Sequence, residues 1–361
     1  MHLNINKQKT SKDIHKLFDF GKQLFASVLR SRTGSLSELS TLLRFQEGTK
    51  GFERRYNKLL PLMEILKQAY KNLVLSTLPE EGLRLGIIDD TTTEKSGKKF
   101  PKQTKHHNSA KNRFYSGMKT LCSSIYQKGK VATISSEIVG KGDNKLLIGK
   151  EHIDVLLNEY FVDIVLFDSW YAKSEIIEYL VEKKVPFVSR LRSNNVVLGE
   201  IRKISLKKFA EQIEHKQFKK IKMNNKSYWI YDTTLNLQAY GNLRIIISKR
   251  GVHEEPIFLV TTTNFSSQFV VKLYMKRFSI EIFFKDAKQF LNFETFLCRN
   301  TQKWDLHLHL INLLHYVIQK RDSISKTVRN VRENIADCLL FINQNSLLNK
   351  FFDELSKGCP T

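Results

Sequence analysis

The stretch LRLGIIDD, residues 83–90, is a short apolar run that ends on two acidic residues. Its length predicts a buried β-strand, and Pro79 and Gly82 separate it from the helical pattern before it. A second run of this kind, DIVLFD at residues 163–168, also ends on an acid. We therefore expect two buried strands of one central sheet, each ending on a carboxylate.

The segments around these runs predict the rest of the sheet. Residues 114–127 and 130–139 have strand patterns separated by a Lys-Gly-Lys turn, which is typical of a hairpin. Helical patterns follow at residues 145–161 and 173–184, and PFVSRLR at 186–192 is a further strand. The predicted order is strand, strand, strand, helix, strand, helix, strand. This order indicates an α/β fold with a mixed central sheet flanked by helices.

Changes of pattern divide the chain into five parts. Residues 1–82 are predicted to be helical, and residues 83–192 form the first part of an α/β core. Residues 193–263 are rich in lysine and in strand-like pieces, which indicates a β-rich insertion. The core is predicted to resume over residues 264–300, and residues 301–361 return to a helical pattern.

The charge of the chain indicates a polyanionic partner. Its 361 residues carry a formal net charge of +23, and the isoelectric point is about 9.7. Nucleic acid is the first candidate for a protein this basic. No apolar run approaches the roughly 20 residues that a membrane-spanning helix needs. The four cysteines are far apart and form no CxxC pair, which suits a reducing cytoplasm.

The acids at the strand ends are candidate metal ligands. A single Asp after a strand is often a turn residue or a helix cap. Two central strands that bring Asp89 or Asp90 and Asp168 together are a stronger signal, because adjacent like charges repel each other unless a cation holds them. Oxygen ligands alone favour Mg²⁺ or Mn²⁺ over zinc.

Residues 267–291 are predicted to form one long helix with two unlike faces. At about 100° per residue, one narrow face carries Tyr274, Arg277, Glu281, Lys285 and Lys288. The opposite face is apolar and carries Leu273, Ile280, Phe283, Phe284, Ala287, Phe290 and Leu291. Taken alone, the polar stripe is most simply a solvated helix face with i,i+4 ion pairs. The alternative is that its one carboxylate completes a metal site while the cations bind phosphates.

Three motifs resemble those of a known family. The helix carries the pattern Tyr-x2-Arg-x3-Glu-x6-Lys at Tyr274, Arg277, Glu281 and Lys288. This pattern resembles the signature of bacterial insertion-sequence DDE transposases of the insertion-sequence-four group. IIDDTTTEKSGKK at 87–99 and VLFDSWYAKSE at 165–175 resemble the first- and second-aspartate motifs of that group. The resemblance covers roughly residues 35–300, and it implies a ribonuclease H-like catalytic core interrupted by the β-rich insertion.

The resemblance also implies the chemistry of the site. Two Mg²⁺ ions, or Mn²⁺ in their place, would be held by the three acids of the motifs, Asp89, Asp168 and Glu281. Asp90 remains an alternative to Asp89, because both fit Asp-x-Thr, although the offset to Lys95 favours Asp89. The implied DNA-binding residues are Tyr274, Arg277, Lys285 and Lys288.

A transposase of this group would bind the terminal inverted repeats of its own insertion sequence. It would cleave the DNA at the element ends and join them to target DNA. Double-stranded DNA, a homodimer in the synaptic complex and a bacterial cytoplasm are implied with it. The helices of residues 1–82 would bind DNA or, alternatively, only cap the core. Two other functions stay open, namely an inactive or domesticated basic DNA-binding protein and a nuclease with the same core.

Overall fold

The fold is described from a computed structural model of the full chain. The structure describes residues 20–24, 28, 36–42, 48–95, 97, 100, 102–108, 111–223, 225–251, 254–296, 298–319 and 344–358. Its helices are α1 Leu36–Leu42, α2 Gly48–Asn57, α3 Met63–Leu75, α4 Lys145–Tyr160, α5 Ser174–Glu182, α6 Leu206–Glu211, α7 Ser267–Met275, α8 Phe278–Phe290, α9 Thr301–Ile318 and α10 Ser346–Gly358. Its strands are β1 Leu85–Glu94, β2 Thr104–Asn108, β3 Arg113–Gln127, β4 Lys130–Val139, β5 Ile164–Phe167, β6 Phe187–Leu191, β7 Val196–Leu198, β8 Lys203–Ser205, β9 Lys219–Met223, β10 Lys226–Leu237, β11 Gly241–Lys249 and β12 Ile257–Thr261.

The strands of the described part form one mixed sheet. At its centre β4, β3, β1, β5 and β6 lie side by side in that order. The strand β3 is antiparallel to β1 and to β4, whereas β1, β5 and β6 are parallel to one another. Beyond β6 the sheet continues antiparallel through β12, β11 and β10 to β7 and β8. The predicted class, an α/β fold with a mixed sheet and flanking helices, is confirmed.

The hairpin of β3 and β4 turns at Lys128 and Gly129, whose φ angles are 45° and 87°. Two consecutive positive φ angles are typical of the tight turns whose twist matches that of the flanking strands, and glycine adopts them without a steric penalty. The strand β2, which pairs with the first residues of β3, was not predicted. Its sequence TKHHN has no apolar alternation to mark it.

Helices cover both faces of the central strands. The helix α4 packs on β1 and β3, and Leu156 of α4 lies over Gly86. The helices α8 and α9 pack on β1 and β4. Side chains alternate between the faces of a strand. Asp90 therefore shares the face of Gly86 and points toward α4, and Asp89 points to the opposite face.

The first acid-bearing strand is longer than predicted. The strand β1 runs to Glu94, so Asp89 and Asp90 lie in its middle and not at its end. Pairing with β3 continues to Glu94, whereas pairing with β5 stops at Ile88. The threonines after the acids belong to the paired strand, and threonine is a residue that strands favour.

The helix predicted over residues 267–291 is two helices, so the prediction of one helix was wrong. The helices α7 and α8 are separated by Lys276 and Arg277. The backbone N–H groups of these two residues donate to the carbonyls of Leu273 and Tyr274, three residues back. This is tighter winding than that of an α-helix. The predicted apolar face is nevertheless buried, including Ile280, whereas Phe290 is only partly covered.

In the described part of the chain, no helix is long and apolar enough to cross a membrane.

Gly117 of β3 provides a test of how tightly β1 is held. A Cβ at Gly117 would lie 2.2 Å from the Thr93 carbonyl oxygen, whereas one at Gly149 of α4 would meet nothing closer than 3.7 Å. We expect Gly117→Ala to lower the free energy of unfolding by roughly 1–3 kcal/mol, because the two strands must separate. Gly149→Ala is the matched control and should be neutral or stabilising by about 0.5–1 kcal/mol. Urea unfolding measures both, and equal effects of the two substitutions would contradict the packing described.

Candidate active site

The two acid motifs meet where the pairing of β1 with β5 ends. The last register pair of these parallel strands is Ile88 with Phe167. Asp89 and Asp168 are the next residue on each strand. Neighbouring strands lie about 4.8 Å apart, and residues in register turn to the same face. The structure therefore brings Asp89 and Asp168 together at one edge of the strand pair.

The backbone after β5 orients Asp168. Its Oδ1 accepts hydrogen bonds from the backbone N–H groups of Trp170 at 2.9 Å and Tyr171 at 3.3 Å. An aspartate that binds the backbone two and three residues on closes a compact local turn. This turn explains why a strand followed by Asp-Ser-Trp-Tyr presents its carboxylate in a defined direction.

Asp89 is the most perturbed acid of this region. Burial raises the pKa of Asp89 to about 7, the Arg277 guanidinium opposes that rise, and the neighbouring Asp168 adds to it. The Asp90 backbone N–H also donates to Asp89 Oδ1 at 2.8 Å. A carboxyl group with such a raised pKa, beside a second acid that adds to the rise, is the pattern that functional sites often show.

Glu281 joins the pair through Arg277. The guanidinium donates from Nη1 to Asp89 Oδ2 at 2.6 Å and from Nη2 to Glu281 Oε1 at 2.5 Å. The side chains of Arg277 and Asp89 are 9% and 13% exposed, but that of Glu281 is 45% exposed. One end of this bridge is therefore buried, and the other end is open to solvent.

Asp90 lies on the other face of the sheet, bound to other partners. Its carboxylate pairs with Lys145 Nζ at 2.5 Å and Lys119 Nζ at 3.2 Å, and it accepts from the Tyr171 hydroxyl at 3.1 Å. Burial would raise the pKa of Asp90, but these two lysines hold it below its ordinary value. Asp89, not Asp90, therefore stands with Arg277 and Glu281.

The three residues around Asp90 were not predicted. Tyr171 is the tyrosine of the second-aspartate motif, so the motif could have identified it as a residue near the acids. Lys145 begins α4 and Lys119 is in the middle of β3, and no spacing in the sequence connects either of them to Asp90. Only the pairing of β3 with β1 and the packing of α4 bring them there.

The other predicted phosphate-binding residues differ in their exposure and in their contacts with other protein groups. Lys285 is exposed, and the structure gives it no ion pair with any residue that it describes. Lys288 donates to the Thr92 carbonyl at 2.8 Å and pairs with Glu294 at 3.2 Å, so it also fastens α8 to β1. Tyr274 is buried, and its ring centroid lies 5.7 Å from the guanidinium carbon of Arg277.

The carboxylates suit a divalent metal in their chemistry but not in their present spacing. Within the described ranges, no three His, Cys, Asp or Glu side chains are grouped closely enough to hold a metal ion. Carboxylate oxygens are the ligands that Mg²⁺ and Mn²⁺ prefer. The position between Asp89 and Glu281, however, is filled by a guanidinium. The predicted direct cluster of carboxylates is thus replaced by a cluster joined through Arg277.

The mixed sheet places Asp89 and Asp168 side by side on adjacent strands, and Arg277 joins Asp89 to Glu281 of α8. The chain belongs to the transposase DDE domain family, whose pattern it matches over residues 80–317. That range contains Asp89, Asp168 and Glu281. A DDE transposase acts on DNA, so the family and the charge of +23 agree on the partner. Among curated proteins, no match to the chain was found.

The raised pKa of Asp89 predicts a pH dependence of stability. A carboxyl whose pKa is higher in the folded than in the unfolded chain favours folding at low pH, and this contribution is lost as the pH rises from about 4 to about 7. The side chain of Asp89→Asn cannot ionise. In a chelating buffer, the melting temperature of this variant minus that of the wild type should therefore increase as the pH rises from about 4 to about 7. Above pH 7 this difference should stay constant.

The control for this measurement is Asp90→Asn. Because the pKa of Asp90 is lowered, its ionised form stabilises the fold, and the substitution should cost more at pH 7 than at low pH. Differences from the wild type that stay constant with pH, or that run in the same direction for both variants, would contradict the environments described.

Proposed function

We propose that the protein is the transposase of an insertion sequence of the insertion-sequence-four group. It would bind the terminal inverted repeats of its own element, cleave the DNA at the element ends and join them to target DNA. The observation that carries this proposal is the meeting of Asp89 and Asp168 after the Ile88–Phe167 register pair, with Glu281 joined to Asp89 through Arg277. The transposase DDE domain match supports the same class.

The strand order supports a ribonuclease H-like core. The central strands run β4, β3, β1, β5, β6, with an antiparallel hairpin on one side of β1 and parallel strands on the other. In the proposed division, residues 83–192 and 264–300 form this core, and residues 193–263 are its β-rich insertion. The six strands from β7 to β12 lie in that segment and extend the same sheet.

Asp89, Asp168 and Glu281 would hold two divalent metal ions, Mg²⁺ or Mn²⁺. When bound, such ions activate a water or a DNA 3′-hydroxyl for attack and neutralise the charge on the leaving oxygen. The turn after β5 would orient Asp168 for this role, and the helix α8 carries Glu281. The apolar side of α8 holds that helix against the sheet through Phe283 and Ala287, both fully buried.

The cations of α8 would contact the DNA backbone. Lys285 lies one turn beyond Glu281, exposed, where it can neutralise a phosphate next to the cleaved bond. Lys288, Arg277 and Tyr274 are proposed as phosphate contacts as well, although the first two also bind protein groups. The remaining partners proposed are a second copy of the chain in the synaptic complex and the DNA bound by the helices of residues 1–82. The site of action would be the bacterial cytoplasm, at the nucleoid.

Two other functions lead to different outcomes. A domesticated or inactive relative would bind DNA without cutting it, and the presence of all three acids argues against this reading. A nuclease with the same core would cut without joining. The Tyr274-Arg277-Glu281-Lys288 pattern favours the transposase over the nuclease.

The central test replaces Glu281. A plasmid that carries the DNA flanking the gene is incubated with the protein and Mg²⁺, and cleaved and joined products are counted. We expect Glu281→Gln to lose activity by on the order of a thousandfold, because the amide cannot replace the carboxylate. Glu182→Gln, an exposed acid at the end of α5, should keep it. Full cleavage by Glu281→Gln would overturn the assignment, and cleavage without joining would favour the nuclease.

The two lysines of α8 should differ in their effects when they are replaced, and the first measurement is the salt dependence of binding to a DNA duplex. Lys285→Ala should lower the slope of log affinity against log salt by about 1, because one phosphate contact is lost. Lys288→Ala should also lower the melting temperature of the free protein, because it releases α8 from Thr92. If Lys285→Ala leaves the slope unchanged, that lysine is not a phosphate contact.

A further inference from the structure

Arg277 was predicted to bind DNA, yet in the structure it binds the candidate catalytic acids. Its two terminal nitrogens reach carboxylates from different elements, Asp89 in the middle of β1 and Glu281 on α8. A guanidinium thus occupies the position between two proposed metal ligands. Its positive charge there does part of what a metal ion would do, because it offsets the repulsion of neighbouring acids.

A second arginine shows what a purely structural arginine looks like in this chain. Arg244 binds both oxygens of a single carboxylate, that of Asp232, at 3.0 and 2.6 Å. Its remaining nitrogen donates to the carbonyls of Thr263 and Phe265. Every nitrogen of that guanidinium therefore has an acceptor. These contacts join β11 to β10 and to the segment that leads into α7.

Arg277 is not satisfied in this way. Its Nε is buried and has no hydrogen-bond partner. A buried N–H without an acceptor is costly. The ring centroids of Tyr274 and Phe278 lie 5.7 and 5.1 Å from the guanidinium carbon, so aromatic rings form part of its surroundings. A phosphate offers several acceptor oxygens and pairs with guanidinium in two-pronged geometry, which would satisfy more of its donors.

Arg277 lies where a change of partner, from the carboxylates to a DNA phosphate, is structurally feasible. It lies at the junction of α7 and α8, where the backbone winds more tightly than in either helix. A short tight turn between two helices often marks a functional hinge. The Glu281 end of the bridge is nearly half exposed, so a DNA backbone can approach the guanidinium from that side.

We infer that Arg277 is a positioning residue that holds the place of a cation in the DNA-free protein. It keeps Asp89 and Glu281 together and competes with divalent ions for them. A phosphate of the bound DNA draws the guanidinium away, and the two carboxylates become available to metal ions. Metal binding and DNA binding are then coupled, and each strengthens the other. This inference rests on the proposed function, and it adds the order of events at the site.

The test measures metal binding and not activity. Mn²⁺ is titrated into the DNA-free protein, and the free ion is followed by electron paramagnetic resonance. Arg277→Gln should bind Mn²⁺ roughly tenfold more tightly than the wild type, because the competing cation is gone. Arg244→Gln is the matched control and should bind as the wild type does. Circular dichroism verifies that each variant is folded.

A second measurement starts from the wild-type protein. Addition of a short DNA duplex to the wild-type protein should strengthen Mn²⁺ binding roughly tenfold. The same addition should have little effect on Arg277→Gln, in which the carboxylates are already free. Arg277→Lys, which keeps the charge but cannot bridge two carboxylates, should fall between the two.

The outcomes separate this inference from the proposed function. Wild-type Mn²⁺ affinity equal to that of Arg277→Gln, or unchanged by DNA, would overturn the place-holding role alone. A variant that combines Arg277→Gln with Asp89→Asn and Glu281→Gln should lose Mn²⁺ binding, and this loss would support the two carboxylates as the ligands. Absence of Mn²⁺ binding in every protein, with and without DNA, would overturn the proposed metal chemistry and this inference with it.

Discussion

The parallel pairing of β1 with β5 is the constraint on which the site depends. It ends at Ile88 and Phe167, and this register alone makes Asp89 and Asp168 neighbours. Because side chains alternate along a strand, a slip of one residue would turn Asp168 to the opposite face of the sheet. The register is secured on both sides, since β3 pairs along all of β1 and β6 pairs with β5.

Alternation along β1 also gives its two acids different environments. Asp89 faces Arg277 and has a raised pKa, because burial outweighs the single cation beside it. Asp90 faces α4, where two lysines and the Tyr171 hydroxyl bind it. The hydrogen bond from the Tyr171 hydroxyl to Asp90 also joins β1 to the loop that contains Asp168. Adjacent residues of identical chemistry are thus separated into a candidate catalytic acid and a structural one.

Local patterns predicted the regular elements well. The hairpin at residues 114–139, the helix α4 and the apolar side of α8 follow from residue spacing that burial enforces along one element. The patterns did not predict β2, which has no apolar alternation, or the tight turn at Lys276 and Arg277, across which the periodicity continues. Element boundaries depend on hydrogen bonds to other segments, and a single segment does not contain that information.

The sequence by itself determined which acids could matter and on which elements they lie, because strand and helix periodicities are local. It also determined the basic character that suits a DNA partner. Only the tertiary structure gave Asp89 and Asp90 different partners, because these depend on which helix covers which face of β1. Likewise, only the structure turned Arg277 from an exposed member of a polar stripe into a buried bridge. That contact joins residues 188 positions apart, and a long-range charge pair of this kind leaves no periodic trace in the chain.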